Sequence, residues 1–355
     1  MKIIWCIFLL SWIAPATKGQ NVGVAVASPK AAFNVGLNKT VLFGDDSTSA
    51  DNKLIYYGSK GALRSGFIIP DIGFEIGDYS TAFGIGNHAS GIASSAWGSN
   101  NQSTGNVSCS IGTGNAASGP SSTAIGYNNI ASRVNSFAIG TENVSNGFES
   151  FSIGHQLVSS GTRSFAIGAK MNSNGHEGVF MVGDNDPTGQ GTTPAGTSNQ
   201  FIARFANGYY LLSSGNNIRT GVQLPAGGNA WLSISNKNLK ENFDTLDDES
   251  ILKKLAGLTF SSWNYKGQDP ATFRHYGVMA QDFFKAFGRD KFGIIGCDTL
   301  VNPVDMMGIA YSAIKALEAR TSQLEELSRQ VIELRKVVAS LQKKERIIQR
   351  KSLIE

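Results

Sequence analysis

Ser235 and Lys240, near the start of the C-terminal third, are of residue types that together can break a peptide bond. A serine hydroxyl is a poor nucleophile until a base accepts its proton. A lysine amine serves as that base when burial lowers its pKa, because the neutral amine then accepts a proton. A serine and a lysine five residues apart are common, so the spacing alone does not predict catalysis.

Other kinds of reactive site have few candidates. The three cysteines and four histidines are widely separated, and no cysteine pair has the spacing of a structural zinc site. The net charge of +4 is small and is not clustered in the middle of the chain, which disfavours a nucleic-acid groove. Between residues 79 and 174 the only acidic residues are Glu142 and Glu149, so the paired carboxylates of a glycosidase have few candidates there. We therefore expect no metal, no cofactor and no nucleic-acid partner.

The middle of the chain is a fourteen-residue repeat marked by glycine. Serine always stands four residues before this glycine, alanine or serine two before, and most often isoleucine one before. A second glycine follows seven residues later in every repeat except at Arg133. The marker glycines are Gly84, Gly98, Gly112, Gly126, Gly140, Gly154 and Gly168.

Fourteen residues suffice for two short strands and two tight turns, with glycine supplying the turn conformations. From the alternation of side chains we expect isoleucine and alanine on one face and serine on the other. Stacked coils that pair through their backbones form a parallel β-solenoid. A coil this thin buries little, so we expect three chains to associate laterally and cover the remaining Ala/Phe stripe.

The segments SFAIGTENVSNG (residues 136–147) and STAIGYNNIASR (residues 122–133) resemble the head repeats of YadA-like trimeric autotransporter adhesins. The resemblance covers residues 77–184. It implies that each repeat is one coil of a left-handed parallel β-roll and that three chains form the head.

After residue 235 the composition changes. A charged helical stretch is expected at 249–255, a β-like stretch at 260–265 and a helix from Met306 onward. Apolar residues at steps of three and four with charged flanks predict a coiled coil over 311–355; the alternative is a helix packed on the chain's own body. The apolar residues are Leu317, Leu324, Leu327, Val331, Leu334, Val338 and Leu341.

The same region, SNKNLKENFD with the later HYGVMAQDFF, resembles the peptidase S74 domain, the self-cleaving intramolecular chaperone of phage tail spikes and fibres. The resemblance implies an α+β chaperone domain over 235–310, with Ser235 as nucleophile and cleavage site and Lys240 as general base. Asn236 stands where the family usually has aspartate, which puts the efficiency of cleavage in question. The bond cleaved is either Ile234–Ser235 or Ser235–Asn236. Further matching residues are Leu239, Glu241, Asn242, Gly277, Val278, Ala280 and Gln281.

The N-terminus, MKIIWCIFLLSWIAPATKG, predicts a signal peptide over 1–19, with cleavage after Ala16 or Gly19. We therefore expect a secreted or cell-surface protein without a membrane span after signal removal. An N-terminal segment follows at 20–76, and a β-rich tip or linker at 185–234 precedes the chaperone. Aromatic residues near the tip either stack on sugars or pack inside the trimer; they are Phe201, Phe205, Tyr209, Tyr210 and Trp231.

The sequence thus predicts a mainly β, secreted homotrimeric fibre or adhesin with a C-terminal coiled-coil helix. Its intramolecular chaperone drives trimerisation and then cleaves its own chain at Ser235, with no turnover of other substrates. A cell-surface glycan or protein is the candidate receptor. The alternatives are a phage-like tail fibre, which the signal peptide disfavours, and a glycan-binding or glycan-cleaving spike, whose cleaving form the scarcity of acidic residues disfavours.

Overall fold

The computed structural model of the chain describes residues 22–24, 31, 33–45, 47–69, 75–185, 191–215 and 220–351. The expected signal peptide lies outside these residues. The chain divides into two compact units, Met1–Ile234 and Ser235–Glu355. The fold is mainly β, as predicted, with a β-solenoid in the first unit and a long C-terminal helix in the second.

The first unit is built from short strands. In chain order they are β1 (Val22–Val24), β2 (Phe33–Val35), β3 (Val41–Phe43), β4 (Asp51–Tyr57), β5 (Ala62–Ile68), β6 (Thr81–Ile85), β7 (His88–Ala89), β8 (Ser95–Ser99), β9 (Gln102–Ser103), β10 (Cys109–Thr113), β11 (Ala116–Ala117), β12 (Thr123–Tyr127), β13 (Ile130–Ala131), β14 (Phe137–Thr141), β15 (Val144–Ser145), β16 (Phe151–His155), β17 (Val158–Ser159), β18 (Phe165–Ala169), β19 (Met171–Asn172), β20 (Phe180–Gly183), β21 (Thr193–Pro194), β22 (Phe201–Arg204), β23 (Gly208–Leu212), β24 (Gly221–Pro225) and β25 (Leu232–Ser233).

Two sheets form the solenoid, and each coil contributes one strand to each of them. The long sheet begins with the antiparallel strands β3, β4 and β5 and continues in parallel through the even-numbered strands from β6 to β22. The short sheet holds the odd-numbered strands from β7 to β21. From β6 to β18 the pairing is fourteen residues apart, as between Gly98 and Gly112. Later coils are longer, since Phe165 pairs with Phe180 and Phe180 with Phe201, so the sheet continues beyond residue 184.

The coil interior differs from our expectation. The alanines and serines two residues before each marker glycine are buried, as are the serines four residues before it. The isoleucines lie on the outer face and are partly exposed. The expected placement of isoleucine with alanine, and of serine on the opposite face, is therefore wrong. Positions two and four before the glycine share the inward face, and the narrow coil admits only small side chains there.

At Gly91, Gly105, Gly119, Gly147 and Gly161, the second glycine of the repeat is required by close packing between coils. A Cβ atom on Gly105 would lie 2.1 Å from the main-chain oxygen of Gly119 in the next coil. The marker glycines have positive φ, from 98° to 142°, as expected, whereas the second glycines other than Gly175 do not. Positive φ also occurs at turn residues other than glycine, including Asn128 with φ of 51°. The coils can stack this closely only where no side chain intervenes.

An asparagine ladder runs through the solenoid three residues after each of the first five marker glycines, and its members from Asn101 to Asn143 are fully buried. Asn129 donates from Nδ2 to Asn115 Oδ1 (2.9 Å), to the Ile125 carbonyl (2.9 Å) and to the Gly140 carbonyl (2.7 Å). Its Oδ1 accepts from the main-chain N–H and the side chain of Asn143, at 3.1 and 3.0 Å. The ladder consists of Asn87, Asn101, Asn115, Asn129 and Asn143.

Each end of the solenoid has its own interior. At the start, the buried Arg64 donates to the carbonyls of Leu63, Ser80 and Ala89 at 3.1, 3.2 and 2.7 Å. At the other end, Leu157 follows the last ladder asparagine and opens an apolar cluster. The other members of that cluster are Ala166, Met171, Val179, Met181, Ala195 and Ile202. The interior thus changes at both ends, to a buried arginine at the start and to large apolar side chains after Asn143.

The second unit packs three helices around a small apolar core. A short 3₁₀ helix, Lys237–Leu239, is followed by α1 (Asp248–Ala256), β26 (Ser261–Trp263), β27 (His275–Gly277), α2 (Ala280–Phe287) and α3 (Pro303–Lys351). Ile251 of α1, Phe287 of α2 and Ala313 of α3 form the core. Beyond its packed first turns, α3 exposes the predicted apolar residues from Leu317 to Leu341, which are 46–65% accessible. Within the described residues, no helix is long and apolar enough to cross a membrane.

Candidate functional site

The structure brings Ser235 and Lys240 together. Lys240 Nζ donates to Ser235 Oγ at 2.7 Å, and Ser235 is the first residue of the second unit. Five residues in an extended strand would span about 17 Å. The chain must therefore fold back between them, and the 3₁₀ helix Lys237–Leu239 lies at that point.

The fold-back is the single 3₁₀ turn, and Asn236 begins it. Asn236 Oδ1 accepts the N–H of Asn238 at 2.9 Å, which is the capping bond of a helix start. Leu239 N–H then donates to the Asn236 carbonyl and Lys240 N–H to the Lys237 carbonyl, both at 3.1 Å. Lys240 leaves the turn in extended conformation, with its amine at the serine hydroxyl.

The other residues of the matching motif lie around this pair or away from it. Glu241 follows Lys240 directly and is exposed, and Asn242 has a left-handed backbone with φ of 55°. The motif residues Gly277, Val278, Ala280 and Gln281 instead line a cavity of about 650 Å³, to which the Ser235–Lys240 pair does not contribute. They belong to the body of the domain and not to the pair.

Both members of the pair are exposed in the single chain. A lysine acts as a general base only as the neutral amine, which burial favours. The geometry of one chain therefore supplies the hydrogen bond between amine and hydroxyl but not the burial that base chemistry requires.

Ion pairs fasten α1 to α3 beside the domain core. Lys315 Nζ lies 2.6 Å from Asp248 Oδ2, and Ser312 donates to the other oxygen of Asp248 at 2.5 Å. These hydrogen bonds lower the pKa of Asp248. Arg320 binds the Glu249 carboxylate through two nitrogens and lowers the pKa of Glu249 in the same way. The two acidic residues at the start of α1 are thus held by cations of the long helix.

The aromatic residues predicted at the tip fall into two groups. Tyr209 contacts both Phe205 and Trp231, with ring centroids 5.6 and 6.3 Å apart. Phe201 instead stacks on Phe180 of the solenoid at 5.6 Å. Tyr210, next to Tyr209 in β23, is 48% exposed. The predicted set is therefore not one surface.

Among the described residues, no group of three or more His, Cys, Asp or Glu side chains could hold a metal ion. Cys109 and Cys297 are free thiols. Burial raises the pKa of Cys109, and hydrogen bonds with Thr299 and Leu300 lower that of Cys297. The structure offers no donor set with which to build a metal centre from these two residues.

Two features escaped the sequence reasoning. The signal for the asparagine ladder is an asparagine three residues after each of the first five marker glycines, from Asn87 to Asn143. The capping bond of Asn236 was signalled by an asparagine directly before a short polar turn.

Comparison with known families agrees with both resemblances. Residues 235–290 match the family model of peptidase S74, described as the chaperone of endosialidase. Residues 76–106 and 117–143 match two copies of the YadA head domain repeat. No curated protein matches the chain. The chain therefore joins YadA-like head repeats to a segment that matches the endosialidase chaperone, and this combination supports a trimeric adhesin or tail-fibre-like protein.

Proposed function

We propose that the protein is a secreted homotrimeric adhesin whose C-terminal chaperone, residues 235–310 with the helix 311–355, assembles three chains and then cleaves each beside Ser235. The observation that carries the proposal is the 2.7 Å contact of Lys240 Nζ with Ser235 Oγ, at the start of the segment that matches the chaperone family.

Two apolar surfaces support assembly into a trimer. The solenoid carries an outer phenylalanine column in which successive rings lie 4.9–5.6 Å apart; it consists of Phe137, Phe151, Phe165, Phe180 and Phe201. The exposed heptad residues of α3 form a second surface, at the spacing that lets parallel helices interlock. A helix bundle that forms first would hold three solenoids at high local concentration while their slow β pairing proceeds.

In the proposed reaction, the Ser235 hydroxyl attacks an adjacent main-chain carbonyl carbon and its proton passes to the neutral Lys240 amine. The peptide nitrogen takes a proton as it leaves, and an ester to Ser235 Oγ forms. One water molecule then hydrolyses this ester and yields a carboxylate and the free hydroxyl. The exposure of the pair in one chain favours cleavage only after assembly, when neighbouring chains bury the amine.

The receptor of such a fibre would be a cell-surface glycan or protein. After cleavage the segment 185–234 would form the distal tip. There the contacting rings of Phe205, Tyr209 and Trp231 offer an aromatic surface of the kind that stacks on sugars. A tail fibre is the second candidate, because the matched chaperone family takes its description from endosialidase; export of the protein from its cell would distinguish the two.

Denaturing gels and mass spectrometry of the expressed chain test the cleavage. At the mean residue mass of this chain, the wild type without residues 1–19 should give fragments of about 23 and 13 kDa. Ser235→Ala and Lys240→Ala should each remain intact and still trimerise. The neighbouring substitutions Ser233→Ala and Lys237→Ala serve as matched controls and should cleave normally. An intact wild type, or cleavage of Ser235→Ala, contradicts the dyad.

Light scattering tests the assembly. The mature protein should be a trimer. A chain that ends at Ser322 keeps the core residue Ala313 but loses the heptad residues from Leu324 to Leu341, so it should be monomeric or aggregated. A soluble trimer from the shortened chain would refute the role of α3.

A further inference from the structure

Asn236 has no hydrogen bond to the side chain of Ser235 or Lys240, but it caps the turn that lies between them. Its side chain bonds to the N–H of Asn238 at 2.9 Å and so satisfies one of the donors that a helix start leaves open. The two main-chain bonds of the turn follow from that start. Lys240 begins where this turn ends, which places its amine at the serine hydroxyl.

We propose that Asn236 is a positioning residue for the cleavage: its side-chain oxygen caps the 3₁₀ turn that returns Lys240 to Ser235. The inference rests on the self-cleavage proposed above. It assigns to position 236 a geometric role that needs a hydrogen-bond acceptor and not a negative charge. Asparagine and aspartate are about equally good at a helix start, so either residue at position 236 would leave the dyad competent.

The alternative is that a carboxylate at position 236 takes part through its charge, in which case this chain cleaves slowly and Asn236→Asp accelerates it. The two accounts predict different rates for Asn236→Asp relative to the wild type. Under the capping account, Asn236→Asp and Asn236→Ser cleave within about threefold of the wild type. Asn236→Ala is slower by about 2- to 30-fold, the range that corresponds to the loss of a capping side chain.

The experiment follows appearance of the C-terminal fragment after refolding, for the wild type and the three variants, between pH 6 and pH 9. Asn238→Ala is the matched control, because it removes an exposed amide but keeps the N–H that Asn236 caps. Capping predicts one common pH profile for the wild type, Asn236→Asp and Asn236→Ser. Wild-type rates in Asn236→Ala, or a tenfold acceleration in Asn236→Asp, overturn the proposal.

Hydrogen exchange at the Asn238 amide gives a second readout that does not depend on cleavage. In the uncleaved Ser235→Ala chain, adding Asn236→Ala should speed this exchange, whereas Asn236→Asp should leave it unchanged. Equal exchange in all three chains refutes the cap. An intact wild-type chain would instead refute the self-cleavage itself, and the exchange rates would still decide whether Asn236 holds the turn.

Discussion

Asn129→Ala tests whether the asparagine ladder holds the coils together. The substitution removes a side chain that takes part in five hydrogen bonds inside the solenoid. At a net value of about 1 kcal/mol for each, and with the buried N–H of Asn143 left without its acceptor, we expect a loss of about 4–6 kcal/mol per chain. Asn146→Ala, in the next coil and exposed, is the matched control and should change stability by less than about 0.5 kcal/mol.

Guanidinium unfolding followed by circular dichroism measures this difference, with Ser235→Ala as the background so that the chaperone stays attached. The Asn129→Ala midpoint should fall well below that of Asn146→Ala. Asn129→Asp should be more harmful at pH 7 than at pH 4, because its carboxylate would face two main-chain carbonyls in place of the donating amide. If Asn129→Ala and Asn146→Ala unfold within about 1 kcal/mol of each other, the ladder is not a main source of stability.

Two further predictions concern close packing and acid. Gly105→Ala should abolish soluble trimer in size-exclusion chromatography, because its Cβ would overlap the next coil, whereas Gly215→Ala, with open space around it, should behave as the wild type; equal yields contradict the packing argument. Because hydrogen bonds with Lys315 and Ser312 lower the pKa of Asp248, their stabilising effect is complete above the carboxyl's ordinary pKa and is lost as pH falls below about 4. Asp248→Asn should weaken that acid dependence in thermal unfolding scans, and an unchanged pH profile would refute it.

The strand pattern of the solenoid could be predicted from sequence because each fourteen-residue repeat forms one coil. Residues fourteen apart are paired, as the period requires. Alternation shows which residues share a face of the strand but not which face lies inside the coil. That choice depends on the width of the coil, which limits the size of the side chains that fit inside. In a coil this narrow, Ala138 and Ser152 fit inside, and the larger Ile139 and Ile153 lie outside.

The pairing of Ser235 with Lys240 was expected from the resemblance and not from spacing. Spacing says only that the two residues are near in sequence, and the contact depends on a turn of three residues. The longer coils after Gly168 escaped prediction for a related reason. Beyond the regular repeat the strands still pair in the same sheet, but the loops between them are longer and their lengths follow no period.

The uniformity of the asparagine ladder has a consequence for how the chain finds its correct alignment. If one coil paired with the wrong neighbouring coil of the repeat, its asparagine would form the same contacts. The ladder therefore stabilises the stacking of coils but does not select which coils are neighbours. The correct alignment of coils is specified by the residues that depart from the repeat, Arg64 at one end and Leu157 and Met171 at the other. Changes at Asn129 alter how firmly coils adhere, whereas changes at Arg64 or Leu157 alter which coils become neighbours.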